Sequence, residues 1–291
     1  MDANELLKKV RKIEIKSRGL SQNIFAGEYH SAFKGRGMMF SEVREYQFGD
    51  DVRDIDWNVT ARHNRPYVKV YEEERELTVM LLIDVSGSGD FGATGELKRE
   101  MIAEIAATLA FSATQNNDKI GALFFSDRVE KFIPPKKGKK HILLIVRELL
   151  DFKPASRGTD LGVALRFFTD AMRKRSATFV ISDFIQPVDY RQALSLARNK
   201  HDVMAIQVYD KRDSQLPPVG LMRVHDLETG AVRWIDTSSS RVRQAYSRSW
   251  YDRQQAMAET LRSSRVSFVS VATDEDYVKA LMGLFKNRTR S

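Results

Sequence analysis

The stretch LTVMLLIDVSGSGDFG, residues 77–92, sets the fold class of this chain. It opens with an unbroken run of apolar and β-branched residues and closes with serines and glycines. Such a run, bounded by turn-forming residues, is typical of a strand that is buried on both faces. The sequence therefore predicts a central β-strand that ends near Asp84, followed by a tight loop.

Strands and helices alternate along the chain after this stretch. Apolar strand-like runs are separated by segments with apolar residues at helical spacing, and these segments fall at about 96–115, 139–152, 162–175 and 188–200. Such alternation indicates a mostly parallel sheet that is covered by helices on both faces. We therefore predict an α/β, doubly wound, Rossmann-like fold over residues 76–291.

Two parts of the chain fall outside this alternation. Residues 1–75 contain a predicted helix at about 3–17 and short β-like pieces, and we expect this segment to pack on the main domain. Residues 218–238 contain two alternating arms around ETG, which predicts an inserted β-hairpin.

The loop after the predicted central strand contains two competing motifs. Residues 87–92 spell G-x-G-x-x-G, which can hold the phosphates of a dinucleotide. However, Asp84 would place a carboxylate beside that anion, and no acidic residue follows at the spacing that contacts the ribose. The same loop also spells D-x-S-x-S, which suits a cation better.

The cation interpretation draws ligands from three loops at one edge of the sheet. Parallel strands present their carboxyl ends at the same edge, where ligands bind. Oxygen ligands in mixed carboxylate and hydroxyl sets suit Mg²⁺, with Mn²⁺ or Ca²⁺ as alternatives. The candidate metal ligands are Asp84, Ser86, Ser88, Thr159 and Asp183. Five oxygens leave room for one acidic ligand from a protein partner.

Each candidate ligand also has a purely structural interpretation. Ser86 and Ser88 could be turn residues, Thr159 could be a helix N-cap, and Asp183 could simply end a strand. Three matched loops in the right order favour the metal site over these separate explanations.

The three loops resemble the metal-ion-dependent adhesion site of von Willebrand factor type A domains. The resemblance rests on D-x-S-x-S, then G-T-x-L-x-x-A-L, then a strand-end S-D, and covers about residues 76–210. It implies metal-dependent protein binding rather than catalysis. This sequence departs from the pattern at Phe184, where many such domains have glycine.

A dense charged block, residues 44–76, precedes the main domain. Its arginines alternate with aspartates, which predicts either a salt-bridged network that docks the segment on the domain or a surface that binds a partner. The candidate partner-binding residues are Arg44, Asp50, Arg53, Asp56, Trp57 and Arg62.

The order of residues in this block is similar to the signature of the domain of unknown function 58 family. The matching pattern is R-x-Y-x-x-G-D-x-x-R-x-I-D-W-x-x-x-A-R, then P-x-V-K, then E-x-E. Proteins of that family are commonly associated with MoxR-type AAA+ ATPases. The resemblance implies an adaptor or effector that works with such an ATPase or its client.

Composition narrows the remaining classes. The chain has 291 residues, a net charge of +8 and no cysteine, which excludes disulfides and thiol catalysis. The longest apolar runs are too short to span a bilayer, so we expect no transmembrane segment and a cytoplasmic protein. The basic run PPKKGKKH, residues 134–141, predicts a solvated loop rather than a nucleic-acid site.

No catalytic machinery stands out in the sequence. The chain lacks a G-x-x-x-x-G-K-[ST] phosphate loop, and its five histidines are scattered. A Mg²⁺-dependent, phosphatase-like hydrolase at the same strand-end site stays open as an alternative, although no catalytic base can be named for it.

Overall fold

The computed structural model describes residues 3–20, 38–73, 77–87, 98–186, 188–225 and 231–289. Its strands are β1 (Met38–Glu45), β2 (Tyr67–Glu73), β3 (Thr78–Asp84), β4 (Lys119–Phe125), β5 (Val129–Lys136), β6 (Ala177–Ser182), β7 (Asp202–Tyr209), β8 (Leu221–His225), β9 (Val232–Asp236) and β10 (Ser267–Ala272). Its helices are α1 (Ala3–Leu20), α2 (Trp57–His63), α3 (Lys98–Gln115), α4 (Lys139–Asp151), α5 (Leu161–Ala171), α6 (Arg191–Lys200), α7 (Ser240–Ser263) and α8 (Tyr277–Thr289).

Six of these strands form the central sheet, in the order β10-β7-β6-β3-β4-β5. All neighbouring pairs are parallel except β4 and β5, which are antiparallel. The chain first builds outward from β3 through β4 to β5, and then returns to the other side of β3 with β6. The predicted doubly wound, mostly parallel α/β sheet is therefore confirmed, and its strand order reverses between β3 and β6.

Strand β3 is buried from Val79 to Asp84 because both of its faces are covered. Val79, Leu81 and Ile83 belong to one core cluster, which includes residues of α3, α4 and α8. Met80 and Leu82 belong to the other, which includes residues of α5, α6 and α7. A strand with two apolar faces must carry a continuous apolar run, which explains the sequence of this stretch.

Strand β5 is the main element of the sheet that the sequence analysis missed. The predicted solvated loop at 134–141 instead contributes Pro134–Lys136 to β5, and Lys139 begins α4. Proline is tolerated here because β5 lies at the edge of the sheet, where one side of the strand needs no partner. Gly121 of β4 fits closely against this strand, since an added Cβ would lie 2.8 Å from the Ile133 carbonyl oxygen.

The elements outside the sheet are largely those that the sequence predicts. Helix α1 packs against α3 and α4, and its Ile13 joins the core. The inserted hairpin is present as the antiparallel pair β8 and β9, although its predicted ETG turn lies outside the described residues. The domain division at residues 75 and 76 stays a prediction.

The charged block folds into a small unit around the antiparallel pair β1 and β2. A 3-10 turn, Val52–Asp54, and the short helix α2 connect the two strands. Helix α2 was not expected, because its seven residues are too few to show helical periodicity in a charged sequence. Across the described part of the chain, no helix has the length and apolarity needed to cross a membrane.

Candidate metal centre

The carboxylate of Asp84 lies at the end of β3 and is only 6% exposed. One of its oxygens accepts a hydrogen bond from the backbone N–H of Ser86 at 2.9 Å. The other accepts from the hydroxyl of Ser182 at 2.6 Å, across the gap between β3 and β6. These bonds fix the side chain at the point where the strand order reverses, which is where doubly wound sheets bind their ligands.

Asp183 places a second buried carboxylate beside Asp84. It follows β6 directly and is 5% exposed. Burial and, to a smaller extent, the negative charge of Asp183 together raise the pKa of Asp84 to about 6. Two carboxylates that are held together away from water repel each other, so a cation between them is favourable.

Hydrogen bonds join the three loops that carry the candidate ligands. The backbone N–H of Gly87 donates to the Arg157 carbonyl at 3.0 Å, which ties the first loop to the second. The N–H of Leu161 donates to the side-chain oxygen of Gln186 at 2.8 Å, which ties the second to the third. The Ser182–Asp84 bond closes the ring, so the loops form one connected edge.

The structure shows which residue of the second loop caps helix α5, a role that the sequence left open for Thr159. Asp160, not Thr159, caps α5, since its side chain accepts from the N–H of Val163 at 3.1 Å. Thr159 is buried immediately before this cap. Ser86 is buried after β3, whereas the predicted ligand Ser88 lies outside the described residues.

Phe184 adopts a backbone conformation that normally favours glycine. Its φ angle is +57°, in the left-handed region where a side chain is strained. The backbone N–H of Phe184 donates to the Ser182 hydroxyl at 2.9 Å, and its buried ring lies near Tyr190. Packing and this bond therefore hold the turn that presents Asp183, despite the departure from glycine.

Lys98, which the sequence analysis did not single out, lies against the carboxylate pair. Its ammonium is 2.7 Å from a carboxylate oxygen of Asp213 and 3.7 Å from one of Asp183, and its side chain is 4% exposed. Burial alone would lower the pKa of Lys98, but the charges of Asp183 and Asp213 outweigh this effect and raise that pKa. Lys98 is therefore a charged partner of the site.

The donor set fits a hard divalent cation better than a metal that prefers nitrogen or sulfur ligands. Among the described residues, no group of three or more histidine, cysteine, aspartate or glutamate side chains could hold an ion. The edge between β3 and β6 instead offers two carboxylates together with serine and threonine hydroxyls. Oxygen-only sets of this kind suit Mg²⁺, Mn²⁺ or Ca²⁺. Occupancy by such an ion would relieve the repulsion between Asp84 and Asp183.

The described residues of the charged block form their ion pairs with one another. Arg44 binds Asp50 through two hydrogen bonds of 2.8 and 2.7 Å, which hold the turn after β1. Arg53 pairs with Asp51 two residues away. Asp56 caps α2, accepting from the N–H groups of its second and third residues. These contacts order the unit locally rather than linking it to the central sheet.

The other two candidate partner-binding residues face solvent. Trp57 is 67% exposed at the start of α2, and Arg62 is exposed near its end. Phe48, in the turn after β1, is fully exposed. Exposed apolar side chains mark contact surfaces where they form a contiguous patch, whereas single ones are common on protein surfaces.

The fold defines a von Willebrand factor A-like domain, with the candidate ligand loops at the switch point of the sheet. Residues 42–256 match the family described as "Protein of unknown function DUF58", and the chain belongs to that family. Both resemblances seen in the sequence are thereby confirmed.

The chain is similar to curated proteins and to solved structures over different shares of its length. The uncharacterized protein Rv1480 of Mycobacterium tuberculosis is 30% identical over 292 residues, which is 100% of this chain and 92% of its own. Among solved structures, BatB from Bacteroides thetaiotaomicron is 16% identical, with a TM-score of 0.48 over 74% of this chain and 100% of its own. The SpRpn10 VWA domain is 12% identical, with a TM-score of 0.37 over 72% of this chain and 94% of its own.

The raised pKa of Asp84 predicts that its ionised form destabilises the metal-free protein. The ordinary pKa is 3.8 and the folded value is about 6, so the penalty develops between about pH 4 and pH 6 and is complete above. Without metal, Asp84→Asn should therefore raise the free energy of unfolding by about 1–3 kcal/mol at pH 7.5. The gain should vanish below about pH 4.

Urea unfolding in EDTA at pH 7.5 and pH 4 measures this difference. The matched control is Asp170→Asn, an exposed aspartate at the opposite end of α5, which should change stability little. An Asp84→Asn protein that is less stable than the wild type at pH 7.5 would show that the charge is stabilising, contrary to this account.

Removing Lys98 should destabilise the metal-free protein and increase its dependence on metal. Lys98→Met leaves the carboxylates of Asp183 and Asp213 without their buried cation, which costs about 3 kcal/mol. Without the ammonium of Lys98, a divalent ion at the site is repelled less. Saturating Mg²⁺ should therefore stabilise this variant more than the wild type. Urea unfolding with Mg²⁺ and with EDTA tests both effects, and an equal Mg²⁺ effect in the two proteins would contradict the coupling.

Proposed function

We propose that this chain is a metal-dependent protein-interaction module. A divalent cation, Mg²⁺ with Mn²⁺ or Ca²⁺ as alternatives, would be held at the edge between β3 and β6. The proposed ligand set is the one that the sequence predicts: Asp84, Ser86, Ser88, Thr159 and Asp183.

The observation that carries this proposal is the buried carboxylate pair. Asp84 and Asp183 are held side by side at the switch point, although their proximity raises the pKa of Asp84. A fold does not need two repelling buried charges at a loop edge, and such charges are typical of functional sites. The surrounding hydrogen bonds fix the carboxylates in place rather than letting them separate.

The chain's own residues would position the cation and leave one direction open. The bound cation would supply positive charge to an incoming anionic side chain. Asp84 is held by Ser86 and Ser182, while Asp183 is held by its own turn, in which the N–H of Ile185 donates to its carboxylate at 3.1 Å. An aspartate or glutamate of the partner would complete the oxygen set.

For the partner, we propose a MoxR-type AAA+ ATPase or its client. The support for this identity is family membership together with the resemblance of the 44–76 block to the family signature. The exposed Trp57 and Arg62 offer a second surface for the same partner, and the exposed Phe48 lies in the same charged block. The remaining charged candidates in the block would act by holding this surface in shape.

The surroundings of the site do not favour the hydrolase alternative. A hydrolase would need a proton acceptor near the carboxylate pair. Lys98 lies closest to Asp183 in the described contacts, and its raised pKa keeps it protonated, so it cannot serve as that acceptor. No described contact places a histidine at Asp84 or Asp183.

Metal binding by the isolated protein is the direct test of the site. Isothermal titration calorimetry should show one Mg²⁺ or Mn²⁺ site in the wild type. Asp84→Asn should weaken binding by at least tenfold, because it removes one of two carboxylates from the ligand set. Asp170→Asn should bind like the wild type, and unchanged binding by Asp84→Asn would refute the ligand assignment.

Capture of the partner should depend on the metal. The immobilised wild-type protein is offered a purified MoxR-type ATPase with Mg²⁺ and then with EDTA. We expect loss of the ATPase in EDTA and with Asp84→Asn, since the partner's acidic group would then have no cation to bind.

One variant of the charged block and a control variant of α4 complete this experiment. Trp57→Ala should weaken capture in Mg²⁺ without changing metal binding, whereas Leu144→Ala, an exposed apolar residue of α4, is the matched control. Capture of the ATPase that persists in EDTA at full strength would show that the metal does not bridge the two proteins. Release of phosphate from a panel of phosphorylated substrates would then support the hydrolase alternative.

A further inference from the structure

A groove of about 460 Å³ lies between α7 and the segment after β7. Gln215 and Leu216 form one side, and α7 forms the other through Arg243, Gln244, Arg248 and Tyr251. These α7 residues recur at helical spacing, so they share one face of the helix. The groove extends along about 12 Å of helix, which accommodates an extended segment of about four residues.

The charged residues of the groove are all positive. Two arginines line it, and among the described residues no carboxylate does. The guanidinium of Arg243 donates to the carbonyl oxygens of Thr237 and Ser238 at 2.7 and 2.8 Å, which fixes its place beneath the β8–β9 hairpin. Arg248 is exposed, and within the described chain it makes no ion pair. The lining therefore suits an anionic ligand, with carboxamides and a phenol as further donors.

The wall of the groove is connected to the candidate metal centre. The hydroxyl of Ser247 donates to the Ser214 carbonyl at 2.8 Å, so α7 is bound to the 3-10 turn Lys211–Ser214. Asp213 of this turn holds Lys98, whose ammonium is also 3.7 Å from Asp183. One short chain of contacts thus runs from the groove to the buried carboxylate pair.

The occupant that fits both sites is an acidic segment of a protein. The metal centre requires one carboxylate from a partner, and the groove supplies arginines for further carboxylates nearby. The contacts through Ser214, Asp213 and Lys98 connect the groove to the metal edge, so one extended acidic segment would run from the metal-bound acid towards Arg248. Arginine pairs with carboxylates through two parallel hydrogen bonds, which favours carboxylates over neutral side chains.

We propose that the groove between α7 and residues 215–216 is a docking site for an acidic, extended segment of the protein partner. It deepens the proposed function and rests on it for the link to the metal. Arg248 favours acidic segments through its positive charge, and Arg243 gives the groove its shape. Lys98 connects the groove to the metal edge because it contacts both Asp213 and Asp183.

The probe for this site is a fluorescein-labelled peptide of eight glutamates, with an octalysine peptide as its control. Fluorescence anisotropy is measured in EDTA, where only the groove contributes, and then in Mg²⁺. In EDTA, Arg248→Glu should weaken octaglutamate binding by at least tenfold. Arg253→Glu, an exposed arginine of the same helix outside the groove, carries the same charge change and should weaken it less than twofold.

The two arms separate failure of the groove from failure of the metal centre. Equal effects of Arg248→Glu and Arg253→Glu on octaglutamate binding would refute the groove as the docking site, with or without an effect of Mg²⁺. A groove effect without any gain from Mg²⁺ would support the groove and contradict the metal-dependent function. A fluorescein-labelled twelve-residue oligothymidine that binds more tightly than octaglutamate, and that is lost with Arg248→Glu, would overturn the protein segment in favour of a nucleic acid.

Discussion

Two carboxylates, those of Asp84 and Asp183, are buried side by side where the strand order of the sheet reverses. Bringing like charges together away from water is unfavourable, and the raised pKa of Asp84 records that cost. The surrounding structure compensates in two ways. Hydroxyl and backbone N–H groups bind the carboxylate oxygens, and Lys98 supplies one buried positive charge. The remaining negative charge favours a cation at this edge.

The shape of the edge follows from the same constraint. Three loops meet there because β3 and β6 are adjacent in the sheet but separated by β4, β5 and three helices in the chain. Hydrogen bonds from Gly87 and Leu161 tie each loop to the next, so a change in one reaches the others. The left-handed backbone at Phe184 shows that the fold tolerates local strain to keep Asp183 in position.

Much of the fold was predictable because its signals are local. The apolar run of β3 and the periodicity of the helices identify a covered parallel sheet without knowledge of any contact. Strand β5 escaped prediction because its two prolines normally interrupt strands, and only its edge position makes them acceptable. Helix α2 was not predicted because it has only seven residues and depends on the Asp56 cap.

The site was only partly predictable for a physical reason. Its candidate ligands follow strands and precede helices in recognisable patterns, so Asp84, Thr159 and Asp183 could be proposed together. Lys98 has no such signal, because a lysine near the start of an amphipathic helix is usually solvated. Its role depends on Asp183 and Asp213, which are distant in sequence and meet it only in the folded chain.

The candidate contact surfaces differ in how they are connected to one another. The metal edge and the arginine-lined groove are joined through the turn that carries Asp213, whereas the charged block presents Trp57 on a separate small unit. A partner that bound through a cation here would meet an edge whose loops are connected by hydrogen bonds. The charged block holds its own shape through local ion pairs and can contribute contacts without altering the site.

The position of a bound cation tests this account most directly. Crystals grown with Mn²⁺ would be examined for its anomalous scattering. The account predicts one strong peak between β3 and β6, about 2–4 Å from carboxylate oxygens of both Asp84 and Asp183, with a serine or threonine hydroxyl among its contacts. A peak located only at other carboxylates, or no peak at saturating Mn²⁺, would contradict the claim that the buried pair exists to hold a metal.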